Sequence, residues 1–148
     1  MSPKRSRPIP SRPSAATATA RSVFVIVDDE PLLLRSLKRS LAASFEILAY
    51  ETAEEALLRV RAGGVSIVLS DVSMPGMSGL ELLRAVKEYD ADLPVILTSG
   101  AHESEIGRRA LEDGAFRYLP KPFGARELVP LVRQALVLYR LAKLRRDG

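Results

Sequence analysis

Five short apolar runs recur along this chain, each followed by a stretch whose apolar residues fall at helical spacing. That alternation narrows the available folds more than any other feature. VFVIV (23–27), EILAY (46–50), VSIVLS (65–70), PVILTS (94–99) and FRYL (116–119) read as strands. After the first run comes a helix with Pro31 in its first turn and Leu34, Leu37 and Leu41 on one face. Thr52 with Glu55 spells a capping box, and Ala53, Ala56, Leu57 and Val60 follow as a stripe that Gly63-Gly64 ends. Ser78 with Glu81 spells a second box, before a helix on which Leu82, Val86 and Tyr89 share a face. A more polar helix over roughly 102–113 stops at Gly114. The last helix starts near Ala125, with Leu128, Leu131, Val132, Ala135, Leu136 and Tyr139 on its core stripe. Pro130 lies one turn inside it and should kink the helix or delay its onset.

Strands alternating with helices predict an α/β fold: a doubly wound five-stranded parallel sheet with helices on both faces. The flavodoxin-like order 2-1-3-4-5 fits, and it makes the first and third strands neighbours. In such sheets ligands bind beyond the carboxyl ends of the strands, so the chemistry is to be sought there.

Size and charge bound the rest. The 148 residues suit one domain with a proper core, and no apolar run approaches a membrane span. Without cysteine, disulfides and thiolate chemistry are excluded, which fits a cytoplasmic setting. The net charge of +4 is unevenly spread. Residues 1–21 carry Lys4, Arg5, Arg7, Arg12 and Arg21 and no acid, whereas 22–139 hold 17 acids against 13 bases. Residues 140–148 are basic again, through Arg140, Lys143, Arg145 and Arg146. The proline-rich start is expected to be a disordered basic leader; it lacks the apolar core of a secretory signal, and its prolines oppose an amphipathic transit helix. The body spans 22–139, and 140–148 is a basic helical extension or linker. With the positive charge at the ends, nucleic acid is not an expected partner of the domain itself.

At the strand ends stand Asp28-Asp29 after the first run, Asp71 after the third, Thr98-Ser99 closing the fourth and Lys121 after the fifth. Three close carboxylates repel one another unless a cation intervenes, and hard oxygen ligands of this number suit Mg²⁺, which shares its sites with phosphates. An ammonium and a hydroxyl facing them complete an electrostatic cradle for a phosphoryl group in transfer. Bland readings compete: acids favour a helix N-terminus, and Asp71 before Met-Pro-Gly is also turn chemistry. The ordered set outweighs each of them taken singly.

Asp28-Asp29, Asp71 with the following VSMPGMSG, Thr98-Ser99, and Tyr118-Leu-Pro-Lys121-Pro122-Phe123 resemble the receiver domain of two-component response regulators over residues 22–139. The resemblance implies that Asp71 accepts a phosphoryl group from a sensor histidine kinase or phosphotransfer protein. It implies Mg²⁺ on Asp28, Asp29, Asp71 and the backbone carbonyl of Ser73, with Asp29 the more direct ligand of the pair. Thr98 and Lys121 would hold phosphoryl oxygens. The Thr98 hydroxyl would then move inward and Tyr118 turn into the space it leaves. That change alters the face made by the fourth helix, fifth strand and fifth helix. Lys121–Pro122 is a candidate cis bond. Ser73 and Gly100, both small, would border the path of attacking water. His102, the sole histidine, is expected at the surface and is not the phosphodonor, which the family supplies in trans.

Alternatives remain open. A phosphorylation-independent interaction module could keep the same fold. A haloacid-dehalogenase-like phosphatase would need an aspartate two residues after Asp71, where Ser73 stands. Self-directed transfer and autodephosphorylation are the only catalysis expected, so the chain is not read as an enzyme. Output would come from a domain beyond residue 148 or from a separate protein, the chain being a stand-alone or an excised receiver. Homodimer formation is also open, although Arg117 stands where charged-pair dimers of some regulators carry an acid. Val137, Leu141 and Leu144 form a second face on the last helix, either a pairing surface or part of a frayed basic end.

Overall fold

Strands β1 (Ser22–Val27), β2 (Phe45–Tyr50), β3 (Val65–Asp71), β4 (Val95–Ser99) and β5 (Arg117–Pro120) form one parallel sheet in the order β2-β1-β3-β4-β5. The connections are helices α1 (Pro31–Leu41), α2 (Ala53–Arg61), α3 (Gly79–Tyr89), α4 (Ser104–Glu112) and α5 (Ala125–Asp147). This computed structural model describes residues 21–28, 30–100 and 104–147. Asp29, His102 and the leader, apart from Arg21, lie outside the described residues.

The central strands are apolar because both of their faces are covered. Val25, Val27, Val68, Val95 and Leu97 pack with α2, α3 and Ala110 of α4. Phe24, Ile26, Ile67, Leu69 and Ile96 point the other way, onto α1 and α5. Alternating side chains of one strand thereby feed two cores, the expected pattern for a buried parallel sheet. Burying Phe24, Ile26 and Leu69 almost completely contributes about 1.5–3 kcal/mol each relative to exposure.

Four local expectations change. Leu33, and not Leu34, joins Leu37 and Leu41 as the buried stripe of α1; Leu34 is half-buried. On α3, Leu82, Leu83 and Val86 are buried, while Tyr89 is exposed at the helix end. The Ser78/Glu81 box is complete, but at α2 only half of it forms. Thr52 accepts from the Glu55 N–H at 3.1 Å, and the Glu55 carboxylate takes the Thr52 hydroxyl instead of its N–H. Pro130 does not delay α5, which starts at Ala125 and carries the proline on its exposed side. The Gly124 carbonyl accepts from the N–H groups of Glu127 and Leu128, so the first turn is closed before the proline is reached.

Candidate functional site

Parallel strands deliver their last residues to one edge, and at that edge the chain ends β1, β3 and β5 on charge. Asp28 follows β1 directly, and its side chain is only 5% exposed. Its Oδ1 accepts from the Glu30 N–H at 3.0 Å, a turn that starts α1 and uses one carboxylate oxygen. Asp71 is the last residue of β3. Its Oδ1 accepts from the Ser73 N–H at 3.0 Å, and its Oδ2 accepts from Lys121 Nζ at 2.7 Å. Lys121 also lies 3.6 Å from Asp28 Oδ2, so one ammonium bridges the two acids.

Lys121 is placed by its backbone. Its N–H donates to the Ser99 carbonyl at 2.7 Å beyond the end of β5, and the Lys121–Pro122 bond is cis. Burial pulls the ammonium's pKa down, but the hydrogen bond to Asp71 and the charges of Asp28, Asp71 and Glu30 outweigh it, and the net shift is upward. The cation is thus held in place and held charged.

Thr98 sits opposite Asp71 in the β3–β4 register. It is 1% exposed, and among the described residues its Oγ1 has no hydrogen-bond partner. A buried hydroxyl left unpaired costs about 1–3 kcal/mol, and such a cost calls for an explanation. Its neighbour Ser99 is buried too, but bonds through Oγ to the Tyr118 hydroxyl. Tyr118 is half-buried, and its ring fills the space a Cβ would need at Gly107 of α4. The tyrosine therefore faces inward through Ser99 and Gly107, neither of which sequence reading had connected with it. A glycine inside a nine-residue helix was the available signal.

Beside Asp28 and Asp71 opens a cleft of about 380 Å³, lined also by Glu51, Thr52, Ser73, Met74 and Pro75. Glu51 and Thr52 follow the end of β2; Thr52 is also the N-cap of α2, and Glu51 belongs to none of the strand-end motifs. Glu54 of α2 accepts from the Met77 N–H at 3.0 Å and so ties the loop after Asp71 to α2. Among the described residues no third acid completes a metal-holding cluster with Asp28 and Asp71, and Asp29 lies outside them. Two carboxylates at a cleft that Ser73 also lines nevertheless suit Mg²⁺, which keeps several waters of its own. The donor set fits the ion.

The sequence pattern of the response regulator receiver domain matches residues 24–133. Over 118 residues the chain is 39% identical to the C4-dicarboxylate transport transcriptional regulatory protein DctD of Rhizobium meliloti, covering 80% of this chain and 26% of that protein. It is 37% identical over 120 residues to the DNA-binding transcriptional regulator NtrC of Salmonella typhimurium, again 80% of this chain and 26% of the other. The chain thus spans about a quarter of the length of these curated relatives. A response regulator receiver domain protein from Clostridium thermocellum superposes with a TM-score of 0.72 at 28% identity, covering 82% of this chain and 98% of that one.

Proposed function

The chain belongs to the response regulator receiver domain family, and on that premise we propose that it is a phosphorylatable switch. Asp71 accepts a phosphoryl group from a sensor histidine kinase or a phosphotransfer protein. The observation that carries this reading is the meeting of Asp28, Asp71 and Lys121 at one sheet edge, with Lys121 bonded to Asp71 at 2.7 Å.

In the transfer, a carboxylate oxygen of Asp71 bonds to phosphorus as the bond from phosphorus to the donor imidazole nitrogen breaks. The products are an aspartyl phosphate and a free imidazole. The Ser73 N–H fixes the plane of the Asp71 carboxylate, so its orientation is set before the donor arrives. Lys121 follows the negative charge as it passes from the carboxylate to the phosphoryl oxygens. Thr98 Oγ1 donates to one of those oxygens and so gains a partner that it does not have among the described residues. Asp28, Asp71 and the Ser73 carbonyl, joined by Asp29, would hold Mg²⁺. When bound, the ion supplies positive charge that offsets the acids and the phosphoryl group. Small, exposed Ser73 and Gly100 leave room for water, and hydrolysis of its own aspartyl phosphate is the only turnover proposed. Readout runs through the α4–β5–α5 face, where Tyr118 sits, to an output domain or a separate protein. The relatives are transcriptional regulators, so gene control is the output class this reading favours. Among the described residues no helix is long and apolar enough to cross a membrane, and a cytoplasmic switch is the setting proposed.

Intact mass after incubation with acetyl phosphate and Mg²⁺ tests the reading. A phosphoryl adduct that hydroxylamine removes is expected on wild type, and none on Asp71→Asn or in EDTA. Beryllofluoride with Mg²⁺ should raise the melting temperature of wild type alone. Failure of both would leave the receiver fold serving as a binding surface.

A further inference from the structure

The loop after Asp71 is fastened at its two ends. At the near end the Val72 N–H donates to the Thr98 carbonyl at 2.8 Å, and the Ser73 N–H to Asp71 Oδ1 at 3.0 Å. At the far end the Gly79 N–H closes back on the Val72 carbonyl at 2.9 Å, and the Ser78/Glu81 box starts α3. Between them runs an arc of Met74, Pro75, Gly76 and Met77, half-buried or exposed. Pro75 has no N–H to give, and Gly76 holds φ at +76°, a conformation that favours glycine. Met74 and Met77 rest against the core, but contacts of flexible thioether chains set no direction for the peptide groups above them.

One bond from outside the loop does set it. Glu54 Oε2 accepts from the Met77 N–H at 3.0 Å. Among the described residues no other side chain beyond the loop bonds to residues 73–77. Glu54 also stands on a stiff support. It lies in the first turn of α2, between a cap in which Thr52 accepts from the Glu55 N–H and a face whose Ala53, Ala56 and Leu57 are buried. Its carboxylate comes so close to the arc that a Cβ at Gly76 would meet Oε2 at 2.8 Å. The cleft beside Asp28 and Asp71 is lined by Ser73, Met74 and Pro75 and not by Glu54, so the carboxylate reaches that site only through the loop.

We propose that Glu54 is a positioning residue for Mg²⁺: by holding the Met77 N–H it fixes the arc that presents Ser73 to the ion. The proposal rests on the reading of Asp28, Asp71 and the Ser73 carbonyl as Mg²⁺ donors. A loop ordered in advance spares the ion the cost of ordering its own donor, and a partner behind the donor supplies that order. The hydrogen bond, and not the charge, is the working element, so a carboxamide oxygen at position 54 serves as well.

The test titrates Mg²⁺ calorimetrically into the full chain as wild type, Glu54→Ala, Glu54→Gln and Glu55→Ala. Glu54→Ala should weaken Mg²⁺ by about fivefold, less than the roughly tenfold or more that a buried partner of a metal ligand costs, because this bond is exposed. Glu54→Gln keeps the acceptor, and Glu55→Ala removes an equal charge from the same turn; both should stay within about twofold of wild type. Amide exchange in Glu54→Ala should quicken at Met77 and stay unchanged along α2 and α3. Acetyl-phosphate labelling of Glu54→Ala should be slow at limiting Mg²⁺ and return to the wild-type rate at saturating Mg²⁺. Unchanged Mg²⁺ affinity in Glu54→Ala would overturn the proposal while leaving the Mg²⁺ site standing. So would equal weakening in Glu54→Gln, which would make charge the cause, or in Glu55→Ala, which would make it the helix end. A labelling defect that persists at saturating Mg²⁺ would overturn it too. Failure of wild type to bind Mg²⁺ would instead overturn the reading of the site itself, and this proposal with it.

Discussion

At the carboxyl edge of the sheet Asp28, Asp71 and Lys121 meet; beside the entry to β4, at the opposite edge, Asp90, Tyr139 and Arg146 meet. Both clusters combine aspartate with a cation across long sequence separations, yet their polar groups are satisfied to different degrees. Asp90 accepts from the Asp92 N–H at 3.0 Å, from the Tyr139 hydroxyl at 2.6 Å and from Arg146 at 3.3 Å. Burial pushes its pKa up, but those three partners prevail and the net shift is downward. At the other edge one ammonium serves two carboxylates, and a buried threonine hydroxyl has no partner among the described residues. A cluster whose groups are all paired stabilises the fold that holds it. One left short of cations and of hydrogen-bond partners can take up a charged group from outside.

The largest expected effect is all or nothing. Asp71→Asn should abolish phosphoryl acceptance, whereas Asp90→Asn should leave the rate of labelling within about twofold, because a structural contact does not enter the reaction. Similar losses in both variants would erase the contrast. Next comes Lys121→Met, which should slow labelling by about 10²-fold through loss of the cation that follows the moving charge. The same variant should bind Mg²⁺ more tightly by calorimetry, since the competing ammonium is gone; weaker binding would mean that Lys121 orders the acids instead of competing for them.

Stability should move in the opposite sense. Asp90→Ala strands Tyr139 and Arg146 and is expected to cost about 1–3 kcal/mol in urea unfolding with an unchanged slope. Asp71→Ala removes one of two repelling acids and should cost less than Asp90→Ala. The smallest effects are in pH. Burial and the bond to Asp90 push the Tyr139 hydroxyl up to about 12, so the folded state keeps a proton that the unfolded state gives up near 10. Its contribution is complete below pH 10 and is lost as pH rises toward 12. Asp90, lowered, contributes above the usual carboxylate range and loses that contribution as pH falls through its folded value. Tyr139→Phe should flatten the alkaline limb of melting temperature against pH, and Asp90→Asn the acid limb.

The two clusters were not equally legible in the sequence. Asp28, Asp71, Thr98 and Lys121 could be read because a parallel sheet delivers every strand end to one edge, and the strand runs are unmistakable. Asp90 and Tyr139, 49 residues apart, belong to no motif, and only the packing of α5 against the end of α3 brings them together. Leu33 and Leu34 were confused because Leu32-Leu33-Leu34 offers three adjacent phases of one stripe. Tyr89 was misplaced because helical spacing continues to the last turn of α3, whereas the core beneath it does not. Pro130 does not delay the onset of its helix, because Gly124 closes the first turn ahead of its missing N–H.

The most direct test of the account is to find where the phosphoryl group sits. After acetyl phosphate with Mg²⁺, borohydride converts an aspartyl phosphate to homoserine, and trypsin releases the peptide running from Ala62 to Arg84. Homoserine at Asp71 in that peptide, with Asp28 and Asp90 unmodified, is the predicted result. Modification at Asp28, or an adduct on wild type that maps to neither acid of the site, would contradict it.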